Sequence, residues 1–442
     1  METYGIWSLL PVAAVIVLVL LTRRTAVSLL AGTLVGAGML YGTSCLPRWL
    51  DVVYGVMGSD LWIWLVLVCG FFGSLVALFE ASGGIAGFTA IAARFCREEK
   101  RTLLGAWLLG VVVFVDDWLS ILSVGTAMRQ SADRFRVPRE MLAFISNATA
   151  SSICVLIPTS TWGVVMVSQL VSVGLCPAEA GLMTFVKTLP FMFYPLAALV
   201  CGLLYALGVL PVFGPMKNAY RQAREQRAEQ REKSEEVPAR KAWNFLAPVL
   251  FLTAVTIATG EILYGTLTCL VFCGVLYLLG GMKPERYLDA ILSGFKDMIG
   301  VLFIVTSAFI LRDINSLLGM REFVIGAAER VLAPELLPLT AFLLVTALGV
   351  AAGNFWGICA ISFPVIMPIA QALGGNLLLT AGAIVSATAA GSHVCFFGSE
   401  ATLACAASQI ENPRYAQTAL PLLAVPMAVS GVLYFCAGLF LK

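Results

Sequence analysis

Two adjacent acidic residues, Asp116 and Asp117, lie inside the apolar stretch VVVFVDDWLSILSVG at residues 111–125. A carboxylate in the interior of a membrane protein is costly and by default marks an ion or proton path. Because two adjacent carboxylates do not both ionise cheaply without a cation, one of them tends to hold a proton. The pair therefore predicts a site for Na⁺ or H⁺, with Trp118 as a pocket residue. The alternative is a pair that is merely solvated at a water-exposed turn.

A second candidate region is SNATASSICVLIPTSTWG, residues 146–163, which is rich in hydroxyl and amide groups and is interrupted by Pro158. Oxygen donors of this kind suit a small hard cation. The alternative is hydrogen bonding between helices, for which Ser and Thr are common in membrane proteins. Trp162 either lines a pocket or packs. The candidate ion ligands of this region are Asn147, Thr149, Thr159, Ser160 and Thr161.

His393 is the single histidine of the chain and lies in the polar stretch GSHVCFFGSE, residues 391–400. Imidazole titrates near physiological pH and so suits a coupling proton, although a lone histidine is often a structural hydrogen-bonding residue. Glu400 is a further candidate acid in an apolar setting. The other candidates of the second half are the ligands Asn354, Ser392 and Ser399 and the pocket residues Trp356 and Phe396.

The composition is that of a polytopic membrane protein. Of 442 residues, 60% are hydrophobic and 12% are charged, and the mean hydropathy is +0.91, whereas soluble domains are about a quarter charged. The beginning, METYGIW, lacks the basic region of a cleavable signal peptide. Twelve scattered cysteines fit small core residues better than disulfides or metal ligands. We therefore expect an all-α integral membrane protein that crosses the cell membrane several times.

Apolar runs indicate where the chain crosses the bilayer, which takes roughly 20 residues. The continuous runs cover 6–21, 25–43, 61–80, 189–212, 244–259, 262–281, 297–313 and 417–441. Four more are interrupted: 102–127 by Asp116, Asp117 and Gly125, 141–175 by PTSTWG, 339–372 by GNFWG and two prolines, and 377–409 by GSHVCFFGSE. Because irregular backbone in lipid survives only around a polar cavity or a bound solute, these interruptions predict the site.

The hydrophilic segment at 217–241 is basic and predicts a cytoplasmic linker. We place a first membrane repeat at 1–213, the linker at 214–243 and a second membrane repeat at 244–442. The remaining basic connections fit this scheme only if residues 102–127 enter the membrane and return to the cytoplasmic side. That segment is then a re-entrant hairpin with the two aspartates near its tip.

The two halves resemble each other at a nearly constant offset of 238–241 residues. ATA at 148–150 recurs at 387–389, Cys154 has a counterpart in Cys395, and FVDDW at 114–118 matches AGNFW at 352–356. Because the first half begins outside and ends inside, the two copies would be inverted. Inverted repeats with broken helices are the usual design of a secondary transporter, whose site lies where the breaks meet.

The region from residue 108 to residue 163 resembles the signature region of the NhaC-type Na⁺/H⁺ antiporter family, and the likeness extends over nearly the whole chain. The matching elements are Asp116–Asp117–Trp118, Val124–Gly125, Met128–Arg129, Pro138–Arg139–Glu140 with Leu142–Ala143, and Pro158 with Ser160–Thr161–Trp162. The resemblance implies an ion-transporter fold of two inverted repeats, with Na⁺ and H⁺ as coupling ions. It also carries an ion-binding role onto Asp116 and Asp117.

One departure from the family concerns the second half. Where the family usually has Gly-Asp-His followed by Ser-Pro and a final Ser-Asp, this chain has Ser392 before His393, aromatic residues, and then Ser399–Glu400. We expect a secondary active transporter of the Na⁺/H⁺ antiporter type. Because the departure removes one acid, the alternative is a Na⁺- or H⁺-coupled transporter of a small organic solute, a carboxylate or an amino acid.

Other classes of protein make different demands on the chain. A channel would also need polar breaks but would conduct without counter-ion coupling. An enzyme would need a nucleophile–base pair or a metal cluster, which one histidine and dispersed cysteines hardly support. We expect no enzymatic activity and no cofactor beyond the coupling ions Na⁺ or H⁺. The expected partners are membrane lipid and a small cation or organic solute, without nucleic acid, and a homodimer stays open.

Overall fold

The computed structural model describes residues 4–22, 24–84, 87, 98–225, 242–259, 261–320, 323, 333–352, 355–396 and 398–441. All regular secondary structure within these ranges is helical. The helices up to the linker are α1 (Leu10–Thr22), α2 (Thr25–Tyr41), α3 (Cys45–Met57), α4 (Asp60–Ala81), α5 (Glu99–Val112), α6 (Asp117–Arg134), α7 (Arg139–Leu156), α8 (Thr161–Ser172), α9 (Gly181–Thr188) and α10 (Phe193–Ala206).

The linker region begins with the helix α11 (Pro215–Glu225), and residues 226–241 lie outside the described ranges. The helices that follow are α12 (Trp243–Thr259), α13 (Ile262–Leu279), α14 (Pro284–Asp297), α15 (Ile299–Leu317), α16 (Leu337–Ala352), α17 (Phe355–Ala372), α18 (Leu377–Val394), α19 (Ser399–Ser408) and α20 (Asn412–Phe440).

The described helices include seven that are long and apolar enough to cross a bilayer, or nine when each of two bent pairs counts as one span. One bent pair is α7 with α8, at an angle of 42°, and the other joins Ala178–Phe191 to α10 at 58°. The second bend corrects the prediction of a continuous run over 189–212. Pro190 and the non-helical backbone of Met192 separate the two helical pieces there.

At two other places an interruption that the sequence predicts does not break the helix. Gly125 lies within α6, where a Cβ would come within 2.5 Å of Ala407 Cβ, so this glycine permits close packing against α19. Pro364 and Pro368 lie inside α17 without ending it. Membrane helices tolerate proline because neighbouring groups satisfy the freed carbonyls. Of the interruptions that the sequence predicts, those that break the described helices are therefore the ones at the polar motifs.

The order of helices and breaks repeats along the chain. Four consecutive helices of the first half, α5 to α8, begin 238 residues before their counterparts α16 to α19. The paired first residues are Glu99 and Leu337, Asp117 and Phe355, Arg139 and Leu377, and Thr161 and Ser399. This repetition supports the internal repeat that the short sequence matches predict.

Two amphipathic helices, α3 and α14, were not expected from the apolar runs. They occupy matching places, each before a long apolar helix. In α14, Gly294 approaches Gly73 of α4 so closely that a Cβ on either residue would meet the other's backbone oxygen within 2.4 Å. The pair of glycines thus fixes α14 against α4, and an amphipathic pattern next to a long apolar run is the signal that could have identified it.

Candidate functional site

The aspartate pair lies where one helix ends and the next begins. α5 ends at Val112 and α6 starts at Asp117, and the Ser120 hydroxyl on α6 donates to the Gly110 carbonyl on α5 at 3.4 Å. The first turn of α6 therefore runs back alongside the last turn of α5, as a hairpin requires. Asp116 caps α6, because its Oδ1 accepts from the Leu119 amide at 2.9 Å.

The break between α7 and α8 meets this hairpin tip directly. The Thr161 amide donates to the Val115 carbonyl at 3.0 Å, which joins the two breaks through main-chain atoms. The Ser160 hydroxyl caps α8 by accepting from the Gly163 amide at 2.9 Å, and it donates to the Cys154 and Ile157 carbonyls. Ser160 is thus committed to local structure, whereas the Thr161 side chain interacts with Asp116.

Asp117 connects the hairpin tip to both halves of the chain. It is only 1% exposed, and its Oδ2 accepts from the Trp162 indole Nε1 at 2.9 Å. The Trp162 ring stacks on Trp356 of α17, with centroids 4.1 Å apart and planes at 22°. Because Trp356 lies in the first turn of α17, the stack brings the predicted pocket residues Trp162 and Trp356 of opposite halves together.

Glu400 adds a third carboxyl group to the same place. It is fully buried in the first turn of α19, and its Oε2 accepts from the Ser399 hydroxyl at 2.8 Å. Its other oxygen, Oε1, has no hydrogen-bond partner among the described residues. Asp117 experiences the negative charges of both Asp116 and Glu400, and Glu400 interacts with the side chain of Trp118. The carboxyl cluster, as we call Asp116, Asp117 and Glu400, therefore combines both halves.

The carboxyl cluster has no ion-pair partner among the described residues. Within the part of the chain that the structure describes, none of the ion pairs involves Asp116, Asp117 or Glu400. Unneutralised carboxylates at this depth would each cost several kcal/mol, so protons or a bound cation must balance them. The same described residues contain no group of three His, Cys, Asp or Glu side chains placed to enclose a metal ion. A small cation would therefore need added oxygen ligands.

Contacts in the cluster are reciprocal between the halves. The positions equivalent to Trp162 and Trp356 at the 238-residue spacing are Glu400 and Trp118. Trp162 contacts Trp356 across the halves, and their equivalents Glu400 and Trp118 contact each other across the halves as well. Residues that exchange partners in this way are expected when two copies are related by a two-fold axis.

His393 lies in a different polar cluster from the one we expected. Its Nδ1 is 2.9 Å from the Tyr194 hydroxyl, and its carbonyl accepts from Tyr415 Oη at 3.4 Å. Tyr415 Oη in turn accepts from Asn147 Nδ2 at 2.8 Å. We call His393, Tyr194, Tyr415 and Asn147 the histidine cluster. No hydrogen bond among the described residues joins His393 to the carboxyl cluster, so the structure does not bring these candidates into direct contact.

The remaining predicted ligands have diverse surroundings. Thr149 lies against Gly110 near the hairpin tip, and its hydroxyl has no partner among the described residues. Thr159 is buried in the α7–α8 break. The Ser392 hydroxyl donates to the Ala389 carbonyl within α18 and is thus used locally. Phe396 is partly exposed next to the second-half break. Asn354 lies outside the described residues.

Two functional candidates, Tyr194 and Tyr415, were missed by sequence reasoning. Both are fully buried and both contact His393. Each residue lies in the first turn of its helix, α10 or α20, and a buried tyrosine hydroxyl usually finds a hydrogen-bond partner. A buried tyrosine in a membrane helix was therefore the available signal, although it could not have named the partner.

Comparisons with solved structures define the class of protein. The fold matches the YdaH transporter of Alcanivorax borkumensis with a TM-score of 0.65, 15% identity, and coverage of 97% of this chain and 98% of that one. It also matches MtrF of Neisseria gonorrhoeae, described within a class of antimetabolite efflux pumps, with a TM-score of 0.62, 13% identity, and coverage of 91% and 86%. The protein is a multi-pass integral membrane protein with the fold of a secondary transporter.

The sequence comparisons identify the family. A model of the Na⁺/H⁺ antiporter family matches residues 178–438, and this chain belongs to that family. An uncharacterised protein of Haemophilus influenzae is 24% identical over 483 aligned positions, covering 98% of this chain and 91% of the relative. The family confirms the resemblance that the motifs of the first half indicate, although the matched region lies mainly in the second half.

Proposed function

We propose that this secondary transporter exchanges a cation for protons at the carboxyl cluster. The observation that carries the proposal is the burial of Asp117 and Glu400, next to Asp116, without an ion-pair partner among the described residues. Buried carboxyl groups without a cation are stable when protonated, and they can ionise when a cation arrives. Cation and proton then compete for the same oxygens, which is the requirement for exchange.

Further oxygens for a small cation are available around Asp116. The Thr161 side chain interacts with Asp116, and the unpartnered Thr149 hydroxyl lies near the hairpin tip. Hydroxyl and carboxylate oxygens are hard ligands that Na⁺ accepts. We therefore assign Asp116 and Asp117 as the principal coupling-ion ligands, with Na⁺ and H⁺ as the coupling ions. Neither a resident cofactor nor an enzymatic reaction is part of this proposal.

Alternating access follows from the repeat. The reciprocal contacts of Trp162 with Trp356 and of Glu400 with Trp118 support two inverted halves. Movement of the broken helices against the outer spans would then expose the carboxyl cluster to one side of the membrane at a time. The stacked indoles lie at the contact between halves and would have to adjust in each cycle.

The second candidate function is cation-coupled transport of a small organic solute. It is favoured by partly exposed aromatic side chains, since Trp118, which contacts Glu400, is 47% exposed and Phe396, four residues before Glu400, is 37% exposed. Ser392 also replaces an acid that the family usually has, which lowers the negative charge of the second half. The fold is shared with MtrF, which is described in the context of antimetabolite efflux, and that likeness agrees with an organic solute.

The test is transport by the purified protein in proteoliposomes that contain a pH-sensitive dye. We expect Na⁺ or Li⁺ to drive proton movement, and Asp117→Asn to reduce it about 100-fold, since losing one member of a buried charge interaction costs about 3 kcal/mol. Asp51→Asn, which alters an exposed carboxylate paired with Arg48, is the matched control and should transport normally. Full activity in a combined Asp116→Asn and Asp117→Asn variant would refute the proposal.

A further inference from the structure

We propose that the transported cation is an organic ammonium ion, held by the carboxyl cluster and by aromatic side chains at its opening. This inference rests on the proposed function and specifies its substrate class. It differs from a carboxylate substrate, because an anion would meet up to three negative charges without a positive partner among the described residues. It also differs from a bare metal ion in the ligand geometry that it requires.

The arrangement of the carboxyl groups supports an extended cation. Asp116 and Asp117 lie on the hairpin tip of the first half, whereas Glu400 lies on α19 of the second half. They interact electrostatically, yet the described side chains do not converge as ligands of a single metal ion. An ammonium group with several N–H donors can contact carboxylates that are spread in this way, because it needs no closed shell of oxygens.

An unused acceptor is available for one such contact. Glu400 Oε1 is buried without a hydrogen-bond partner among the described residues, while Oε2 is held by Ser399. A buried acceptor without a donor is costly, so a bound donor group would recover free energy there. A protonated amine provides that donor and the compensating charge together.

The aromatic side chains explain why the cation would be organic. Trp118 interacts with Glu400 and keeps nearly half of its surface exposed, and Phe396 is exposed four residues before Glu400. Faces of tryptophan and phenylalanine attract organic cations, and the attraction grows when water is excluded. The stacked Trp162 and Trp356 cover one another, whereas Trp118 keeps exposed surface next to Glu400.

The exchange balances in charge. A monovalent ammonium ion that binds an ionised carboxylate replaces one proton, which leaves to the compartment facing the site. When the site faces the other side, a proton returns to the carboxyl group and the ammonium ion is released. One positive charge thus moves in each direction, and no further reactant is required.

The experiment uses benzylammonium chloride at neutral pH, a primary ammonium probe that has the N–H donors and the aromatic ring that the proposed site would recognise. Isothermal titration calorimetry on the full-length protein should show binding that Na⁺ or Li⁺ weakens by competition. The neutral isostere ethylbenzene and the anion phenylacetate should not compete. Trp118→Leu should lower the probe affinity about tenfold relative to the Na⁺ affinity, whereas Trp118→Phe should keep it within about threefold.

The outcomes separate this inference from the function on which it rests. If Na⁺ drives proton movement that depends on Asp117 but the probe neither binds nor competes, exchange stands and the organic cation is wrong. Equal binding of the neutral isostere or tighter binding of phenylacetate also overturns the inference. If the probe binds in an Asp117-dependent manner but no cation moves protons, cation recognition stands and exchange fails.

Discussion

The two halves of the chain place different side chains at equivalent points of the same helix–break–helix pattern. At the 238-residue spacing, Asp117 corresponds to Phe355 and Trp162 corresponds to Glu400. The first half therefore contributes an acid at the hairpin tip and an aromatic residue at the following break, whereas the second half does the reverse. The halves retain one backbone plan and divide charge and aromatic surface between them, so a single mixed site forms rather than two alike.

The strongest test of this division is to neutralise each acid separately. Asp117→Asn should reduce proton-coupled transport about 100-fold, and Glu400→Gln about tenfold, because Asp117 is a proposed principal ligand and accepts from Trp162, whereas one oxygen of Glu400 is held locally by Ser399. Initial rates in proteoliposomes measure both effects. Melting temperatures of the purified variants should stay close to that of the parent protein. Equal losses would mean that the two halves contribute equivalent acids.

The pH dependence tests whether cation and proton share the cluster. With one proton displaced per cation, the apparent cation affinity should rise about tenfold for each unit of increasing pH, until the carboxyl group is ionised. The affinity rises with pH because protons compete with the cation and their concentration falls as pH rises. Titrating the cation at several pH values in detergent measures the slope. An affinity independent of pH in wild-type protein would exclude competition.

Trp162, the aromatic counterpart of Glu400, can be replaced by another aromatic residue. Trp162→Phe retains a surface for stacking on Trp356 but removes the indole N–H that donates to Asp117 at 2.9 Å. Loss of that donor should weaken cation binding about tenfold, because the ionised form of Asp117 loses a hydrogen bond and protonation then competes better with the cation. Calorimetry at fixed pH provides the measurement, and Trp7→Phe, at an exposed position, is the matched control.

The smallest effect is expected at an acid that already has a cation. Arg312 pairs with Asp313 at 2.7 Å and also donates to the Ser172 carbonyl at 3.0 Å. Since both side chains are partly exposed, Asp313→Asn should cost about 0–1 kcal/mol in stability and leave proton coupling intact. Thermal unfolding and proteoliposome transport together check this. A loss of transport comparable to that of Asp117→Asn would show that the lack of an ion-pair partner does not determine which acid is needed for proton coupling.

Much of the fold could be predicted because polar groups in apolar runs are costly. The breaks near Asp116, at 157–160 and at 395–398 are where the sequence interrupts its apolar runs. Gly125 and the prolines of α17 gave the same kind of signal without a break. Local composition does not distinguish a glycine that ends a helix from one that lets two helices approach.

The candidate site was predictable only in its individual members. Asp117, Trp162 and Glu400 could be selected by residue type and position, and the structure brings them together. The pairing of His393 with Tyr194 spans 199 residues, and its separation from the carboxyl cluster depends on which faces of α18 and α10 meet. Spacing along one helix contains no information about a distant helix face. The role of each residue in transport stays a prediction.

The hydrogen bond from the Thr161 amide to the Val115 carbonyl uses no side-chain atom. This hydrogen bond does not depend on the identity of either side chain, and only proline at 161 would remove its donor. Diversification of what is carried could then proceed residue by residue while the crossing chains keep their mutual alignment. Substrate selectivity could then change during evolution without a change in the fold.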